Sequence, residues 1–243
     1  MKYSKDITKL FLEIKQPVDL KDYYHNFNQP NILNVIYWMK YFELIRNIEG
    51  DIVECGIGRG RSLITLITLN NLFSEIDSSK KRKVIGLDSF EGFPEPTKQD
   101  ISSRNPKKGE WNESPNKQFK YSIESLRQII KTAGLGDLDS DENIELIKGF
   151  FDETTKNLKV DKISILHLDG DLYKSVLMPL NNLWKKVSIG GLIVIDDYIE
   201  EDEHIDNEPF PGARKAVKEF LLTNNNFDLR ISLRGSPYLI RNS

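Results

Sequence analysis

Apolar residues recur along this chain in two rhythms, short β-branched runs and longer stretches spaced three and four apart, and their alternation predicts strands separated by helices. Asp51–Cys55, Lys83–Leu87, Asn143–Ile147, Ile163–Leu168 and Leu192–Ile195 read as strands. Helices are expected from Ser62 to about Phe73, over Tyr121–Ala133, over Asp152–Leu158 and over Leu172–Lys186, where Leu177, Leu180, Leu183 and Trp184 share a side. Gly190-Gly191 resets the chain before the last of these strands. The stretch 163–198 is therefore a strand, a crossover helix and a parallel strand, and both strands point the same way.

Pro211-Gly212 opens another helix, Ala213–Thr223, whose Ala216, Val217 and Phe220 face the sheet. Phe227–Leu233 and Tyr238–Arg241 flank Arg234-Gly235-Ser236-Pro237 and make a terminal hairpin. The predicted fold is α/β: a doubly wound, mostly parallel seven-stranded sheet closed by a C-terminal antiparallel hairpin, as in Rossmann-like proteins.

Upstream of the sheet, Ile32–Asn47 is predicted as a core-packing helix, with Ile32, Val35, Ile36, Met39, Phe42 and Ile45 at helical spacing. Ile7–Ile14 is weakly amphipathic, and Pro17, Asp19 and Pro30 interrupt any longer helix. Residues 1–49 are thus expected to pack as a helical segment on one domain spanning 50–243. Tyr23, Tyr24 and Trp38 suit packing better than a substrate mouth.

From Phe93 to Tyr121 the chain is polar, carries Pro94, Pro96, Pro106 and Pro115, and has no apolar period. A loop that long inside a domain is functional or disordered. It is expected to be a mobile lid, with Trp111 and Phe119 able to cover a ligand. The acidic insertion Ile199–Pro209, with His204, reads as a solvated charged loop.

Composition narrows the setting. The chain has 243 residues, 39% apolar content and a net charge of −3, enough for one large core and without a basic field for nucleic acid or an anionic membrane. No run approaches the ~18 apolar residues of a membrane span, and Met1–Lys9 is too polar for a signal peptide. The single Cys55 rules out an internal disulfide. A soluble, cytoplasmic protein is expected.

The candidate chemistry gathers at strand ends. Glu54 closes one strand and leads into Gly56-Ile57-Gly58-Arg59-Gly60-Arg61-Ser62, a turn whose glycines let backbone approach a ligand at a helix amino end. An acid two residues before the first glycine suits a cationic ligand end, such as an amino group. Asp88 ends the next strand, before Ser89, where it can accept the hydroxyls of a ribose. Asp169 and the pair Asp196-Asp197 emerge at the same edge from strands only ~4.8 Å apart. Their mutual repulsion is relieved by a divalent ion such as Mg²⁺, Mn²⁺ or Ca²⁺; otherwise they are solvated turn acids, with Asp171 a natural N-cap for the helix that follows. His167 reads as a satisfied core residue, and His25 stands isolated.

Taken in order, GDIVECGIGRGRS, GLDSFEGFPEP, IKGFFDET, LDGDLYKS, GGLIVIDDY and PGARKAVKEF resemble the macrocin and novobiocin type sugar O-methyltransferases over roughly residues 50–220. The resemblance implies S-adenosylmethionine as methyl donor and Mg²⁺ (or Mn²⁺) as metal. It implies that Glu54, Gly56 and Ser62 hold the methionine end, Asp88 the ribose and the backbone at Gly149-Phe150 the adenine, with Gly58 and Ser89 in the same cofactor-binding set. It further implies that Asp169, Asp196 and Asp197 ligate the metal. The expected acceptor is a sugar or glycosylated small molecule, with Asp169 next to the donor as base and Asp171 the alternative; the Lys of catechol-type relatives is replaced here by Leu172. The chain departs from the family pattern at Gly58 and Arg61. A homodimer is the expected assembly. Two rival readings fit parts of the same sequence: a metal-dependent glycosyltransferase using Asp169-Gly170-Asp171, and a non-catalytic cofactor-binding module.

Overall fold

The computed structural model describes residues 28–114, 117, 120–198 and 208–243. Its strands are β1 (Asp51–Cys55), β2 (Val84–Asp88), β3 (Ile144–Lys148), β4 (Ile163–Leu168), β5 (Val187–Ile195), β6 (Phe227–Ile231) and β7 (Pro237–Arg241). They form one sheet in the order β3-β2-β1-β4-β5-β7-β6, parallel from β3 through β5. The strands β7 and β6 are antiparallel, so the expected doubly wound sheet with its terminal hairpin is the fold observed. β5 begins earlier than its apolar run and includes Gly190-Gly191, with its register against β4 shifting between Ile163 and Ile165. Tyr23, Tyr24, His25, the segment Ile7–Ile14, Phe119 and His204 lie outside the described residues.

Side chains alternate across the strands and split the core in two. On one face Val53, Ile85, Leu166 and Ile193 pack against α5 (Tyr173–Leu183) and α6 (Pro211–Thr223). On the other face Ile52, Val84, Ile165 and Val194 meet α1 (Gln29–Leu44), α2 (Arg61–Ile76) and α3 (Ile123–Thr132). A short α4 (Phe151–Thr154) follows β3. Among the described residues no helix is long and apolar enough to cross a membrane.

The helix α1 packs on the core as expected and buries Phe42 and Ile45 of its predicted stripe, but it is rotated away from the other four residues. Tyr37, Trp38, Tyr41, Phe42 and Ile45 are buried, whereas Ile32, Val35, Ile36 and Met39 are exposed. Both stripes have helical spacing, and the aromatic one wins because large rings bury more surface and interlock edge to face. Trp38 meets His167 at 4.7 Å between ring centroids and Tyr41 meets Tyr238 at 5.2 Å, which pins α1 across β4 and β7.

The proline-rich stretch after β2 is built into the domain by specific contacts. Phe93 buries with Leu172 and Phe210 in a small satellite cluster. Trp111 lies 5.4 Å from the Phe93 ring, with Arg104 over it at 5.7 Å. A single turn at Lys98–Asp100 is closed by Asp100, whose Oδ2 accepts from the backbone N and the hydroxyl of Thr97 at 2.6 and 2.7 Å. The other oxygen of Asp100 accepts from the backbone N of Tyr173 at 2.6 Å. Asp100, 73 residues away in sequence, thus receives the N–H at the start of α5, and the expectation that Asp171 caps that helix is corrected. Asp171 has a left-handed backbone (φ 57°), which aims its carboxylate elsewhere.

Asp100 is 2% exposed and Gly212 leaves no room beside it, since a Cβ there would lie 2.0 Å from Asp100 Oδ1. Replacing Asp100 by Ala strands three donors. The expected cost is about 2–3 kcal/mol of stability, read as a lower melting temperature together with faster amide exchange across residues 93–114. Unchanged exchange there would mean that Asp100 does not tether the loop.

Candidate active site

The cradle is built by the register of the strands. Cys55 pairs with Leu168, and Leu168 with Ile195, so β1, β4 and β5 end level with one another. The ladder continues one step beyond them: Asp169 N donates to Cys55 O at 2.9 Å and Asp196 N to Leu168 O at 3.0 Å. On the other side Gly56 N reaches Leu87 O and Gly149 N reaches Asp88 O, both at 2.9 Å. Between β1 and β4 the sheet order reverses, and the crevice at such a point is where open α/β sheets bind ligands.

Gly56 has φ 101°, and a Cβ on it would lie 1.8 Å from the carbonyl oxygen of Asp169. Only glycine lets the two loops touch. The turn then runs into α2 through Gly60 (φ 85°), with no side chain capping the helix. This turn and the start of α2 line a cavity of about 1390 Å³. That exceeds the ~300–1,000 Å³ of a typical small-ligand site and leaves room for two ligands side by side.

Of the expected donor-site residues, Gly56, Gly58, Ser62, Asp88, Ser89 and Phe150 line this cavity. Asp169, Asp196 and Asp197 line it too. Asp88 also braces the glycine turn, its Oδ2 accepting from the N of Ile57 and of Gly58 at 2.9 Å each and its Oδ1 from Phe90 N at 2.7 Å. Gly149 and Glu54 do not line it. Glu54 is fully buried beneath the turn, where Oε1 meets His167 Nδ1 at 2.9 Å while Oε2 and His167 Nε2 have no partner. His167 is therefore a core residue satisfied at one nitrogen.

Asp169, Asp171 and Asp197 offer carboxylate oxygens that all lie within 4.8 Å of one another. Burial, and then the neighbouring acids, push Asp169 and Asp171 well above the usual carboxylate range. Burial and Asp196 push Asp197 up to about 7, with Arg234 opposing. Asp171 Oδ1 and Asp197 Oδ2 are buried without a hydrogen-bond partner. The fourth acid, Asp196, is engaged differently: Arg234 Nη1 donates to Oδ1 and Nη2 to Oδ2, the latter at 3.1 Å.

These residues fit a divalent ion. The donors are hard oxygens, two of them buried and unpartnered, and opposite ligands of Mg²⁺ at ~2.1 Å stand about 4.2 Å apart, close to the span seen here. Sequence reasoning placed Asp169 and Asp197 in this group. It did not put Asp171 there, since the positive φ that turns it inward has no signature in the residue type. It also missed Arg234, which arrives from 38 residues further along the chain.

A seven-stranded sheet ending in an antiparallel hairpin, with a glycine turn and acids at its carboxyl edge, defines a Rossmann-like methyltransferase fold. The solved O-methyltransferase NovP shares it at TM-score 0.63 and 26% identity, over 88% of this chain and 79% of that one. The calicheamicin methyltransferase CalS11 does so at TM-score 0.71 and 20% identity, over 97% and 89%. The chain belongs to the TylF macrocin-O-methyltransferase family, whose pattern matches residues 42–223. It is 31% identical over 174 residues to the demethyldecarbamoylnovobiocin O-methyltransferase of Streptomyces niveus, covering 72% of this chain and 59% of that protein. The chain spans between 55% and 61% of the length of the curated relatives it matches.

The crowded acids give a test by pH. A carboxyl whose pKa is raised by folding keeps its proton longer in the folded than in the unfolded chain, so it lowers stability as pH climbs from the unfolded value to the folded one. For Asp197 that window runs from 3.8 to about 7. With EDTA present, Asp197→Asn should gain melting temperature relative to wild type as pH rises through this window. A difference that stays constant with pH would mean that burial and Asp196 do not raise Asp197.

Proposed function

We propose that this chain transfers a methyl group from S-adenosylmethionine to a hydroxyl of a sugar or glycosylated small molecule, with Mg²⁺ or Mn²⁺ in its acidic cluster. The observation that carries this reading is the junction at Gly56 and Asp169, where a glycine turn suited to the donor touches a loop suited to the metal inside one cavity. Family membership supports methyl transfer over the glycosyltransferase reading of Asp169-Gly170-Asp171. It equally disfavours a non-catalytic module, because three mutually repelling carboxylates are costly to keep without a role.

When bound, S-adenosylmethionine supplies a methyl group on a positively charged sulfur, and Mg²⁺ supplies a Lewis acid that orients and acidifies a hydroxyl. The chain's own groups do the rest. The N–H groups of the first turn of α2, from Arg61 and Ser62, and the Ser62 hydroxyl hold the methionine carboxylate at the amino end of that helix. Asp88 and Ser89 receive the ribose, and Phe150 flanks the adenine. The negative field of Asp169, Asp171 and Asp197 draws the cationic sulfur toward the acids.

The hydroxyl proton goes to a carboxylate oxygen of Asp169 or Asp171. Asp169, which also touches Gly56, is the first choice, and Asp171, with one unpartnered oxygen, is the alternative. Residues 93–121 serve as a lid on this domain of residues 50–243, with Trp111 at the cavity wall.

S-adenosylhomocysteine should raise the melting temperature of the wild-type protein by several degrees, as about 100-fold excess over Kd stabilises a fold by ~2.7 kcal/mol. Asp88→Ala should abolish that shift while leaving circular dichroism native. Stabilisation by nucleotide sugars and not by S-adenosylhomocysteine would favour the glycosyltransferase. Methyl transfer from labelled donor to a panel of glycosylated small molecules should stop with EDTA and return with Mg²⁺. Transfer that survives chelation would remove the metal from the scheme.

A further inference from the structure

Four acids crowd the carboxyl edge, yet only three gather their oxygens around one point. Asp196 stands apart because Arg234 holds both of its oxygens. The arginine is delivered by the hairpin. Tyr238 of β7 pairs with Val194 of β5, two residues before Asp196, and the turn that carries Arg234 lies immediately beyond. That turn is set by Ser232 N to Ser236 O at 3.0 Å, Gly235 N to Ser232 O at 3.1 Å and Arg234 N to Ser232 Oγ at 3.2 Å. The guanidinium also lies over the Tyr37 ring of α1, 5.6 Å from its centroid. The pair is half-sheltered, with side chains 45% and 17% exposed. It is a two-point contact fixed from three sides, and so more than a chance surface ion pair.

We propose that Arg234 is a positioning residue that competes with the divalent ion for Asp196, acting as a resident counter-ion that weakens ion binding. The inference rests on the reading of the acidic cluster as a divalent-ion site. For Asp196 to turn toward that site it must release two charge-assisted hydrogen bonds, and the guanidinium charge itself repels an incoming cation. Both effects have the same sign. Metal affinity is thereby tied to the hairpin and to α1 through Tyr37, elements that touch no metal themselves.

The test is calorimetric titration of metal-stripped protein with Mg²⁺ alone, for wild type, Arg234→Gln and Arg234→Lys. Arg234→Gln should bind Mg²⁺ about tenfold more tightly than wild type. Arg234→Lys, which keeps the charge and loses the two-point contact, should gain about threefold. In an Asp196→Asn background the gain from Arg234→Gln should shrink, because there is no longer a carboxylate to contest. A merely structural arginine would move affinity the other way when removed. Affinity in Arg234→Gln equal to or weaker than wild type would overturn the proposal while leaving the metal site intact. Should Arg234→Gln fail to give a native circular dichroism spectrum, Arg234→Lys decides alone, and an affinity equal to or below wild type overturns it. If neither wild type nor any variant takes up Mg²⁺, the cluster is no metal site and the proposal falls with it.

Discussion

Repulsion among four aspartates is the constraint around which the carboxyl edge of this protein is arranged. Asp169, Asp171, Asp196 and Asp197 follow two adjacent parallel strands, and a crossover unit necessarily brings those strand ends together. Water cannot relieve them fully, since Asp171 is buried and two of the carboxylate oxygens have no partner. The fold offers partial compensation. Arg234 neutralises Asp196, and Arg104 of the loop after β2 lowers the proton affinity of Asp171. The remaining charge is what a divalent ion and a cationic donor would meet, and it is concentrated where the sheet order reverses.

The same strand ends tie the two halves of the site to each other. Gly56 and Asp169 are in close backbone approach where β1 and β4 end, so the glycine turn and the acids are set directly against each other. Asp88 strengthens the link from the other side by holding the amides of Ile57 and Gly58. Beneath this layer the buried Glu54 and His167 join β1 to β4 under the α1 aromatics. Above it the loop of residues 93–114 is tethered through Asp100 to the start of α5. The buried pair below and the tethered loop above leave a deep cavity between them.

Much of this was legible in the residues because it depends on local rules. Alternating periodicity gave the strands and helices, a glycine-rich strand-to-helix turn marked the ligand edge, and acids at the tips of successive strands pointed to one rim. What escaped has long-range causes. Trp38 packs as expected, but the helix α1 has two stripes of helical spacing, and only the shape of the sheet it covers decides that Tyr37 and Tyr41 go inward in place of Ile32, Val35, Ile36 and Met39. Asp171 looked like a helix cap until Asp100, far away in sequence, supplied the bond at that helix start. Glu54 lies buried beneath the glycine turn with one oxygen against His167, a pairing between β1 and β4 that the order of residues along the chain does not show. The apparently structureless loop holds its place through Phe93, Trp111 and Phe210, which meet only after the chain has folded.

The central claim is that donor and divalent ion occupy one cavity, side by side at the ends of β1 and β4. Crystals grown with S-adenosylhomocysteine and Mn²⁺ test it directly through the anomalous signal of the metal. The account predicts one strong peak among Asp169, Asp171, Asp196 and Asp197, with the nucleoside lying along Gly56 to Ser62 in the same cavity. A fully occupied nucleoside with no anomalous peak at these acids, or a peak on another face of the protein, would contradict it.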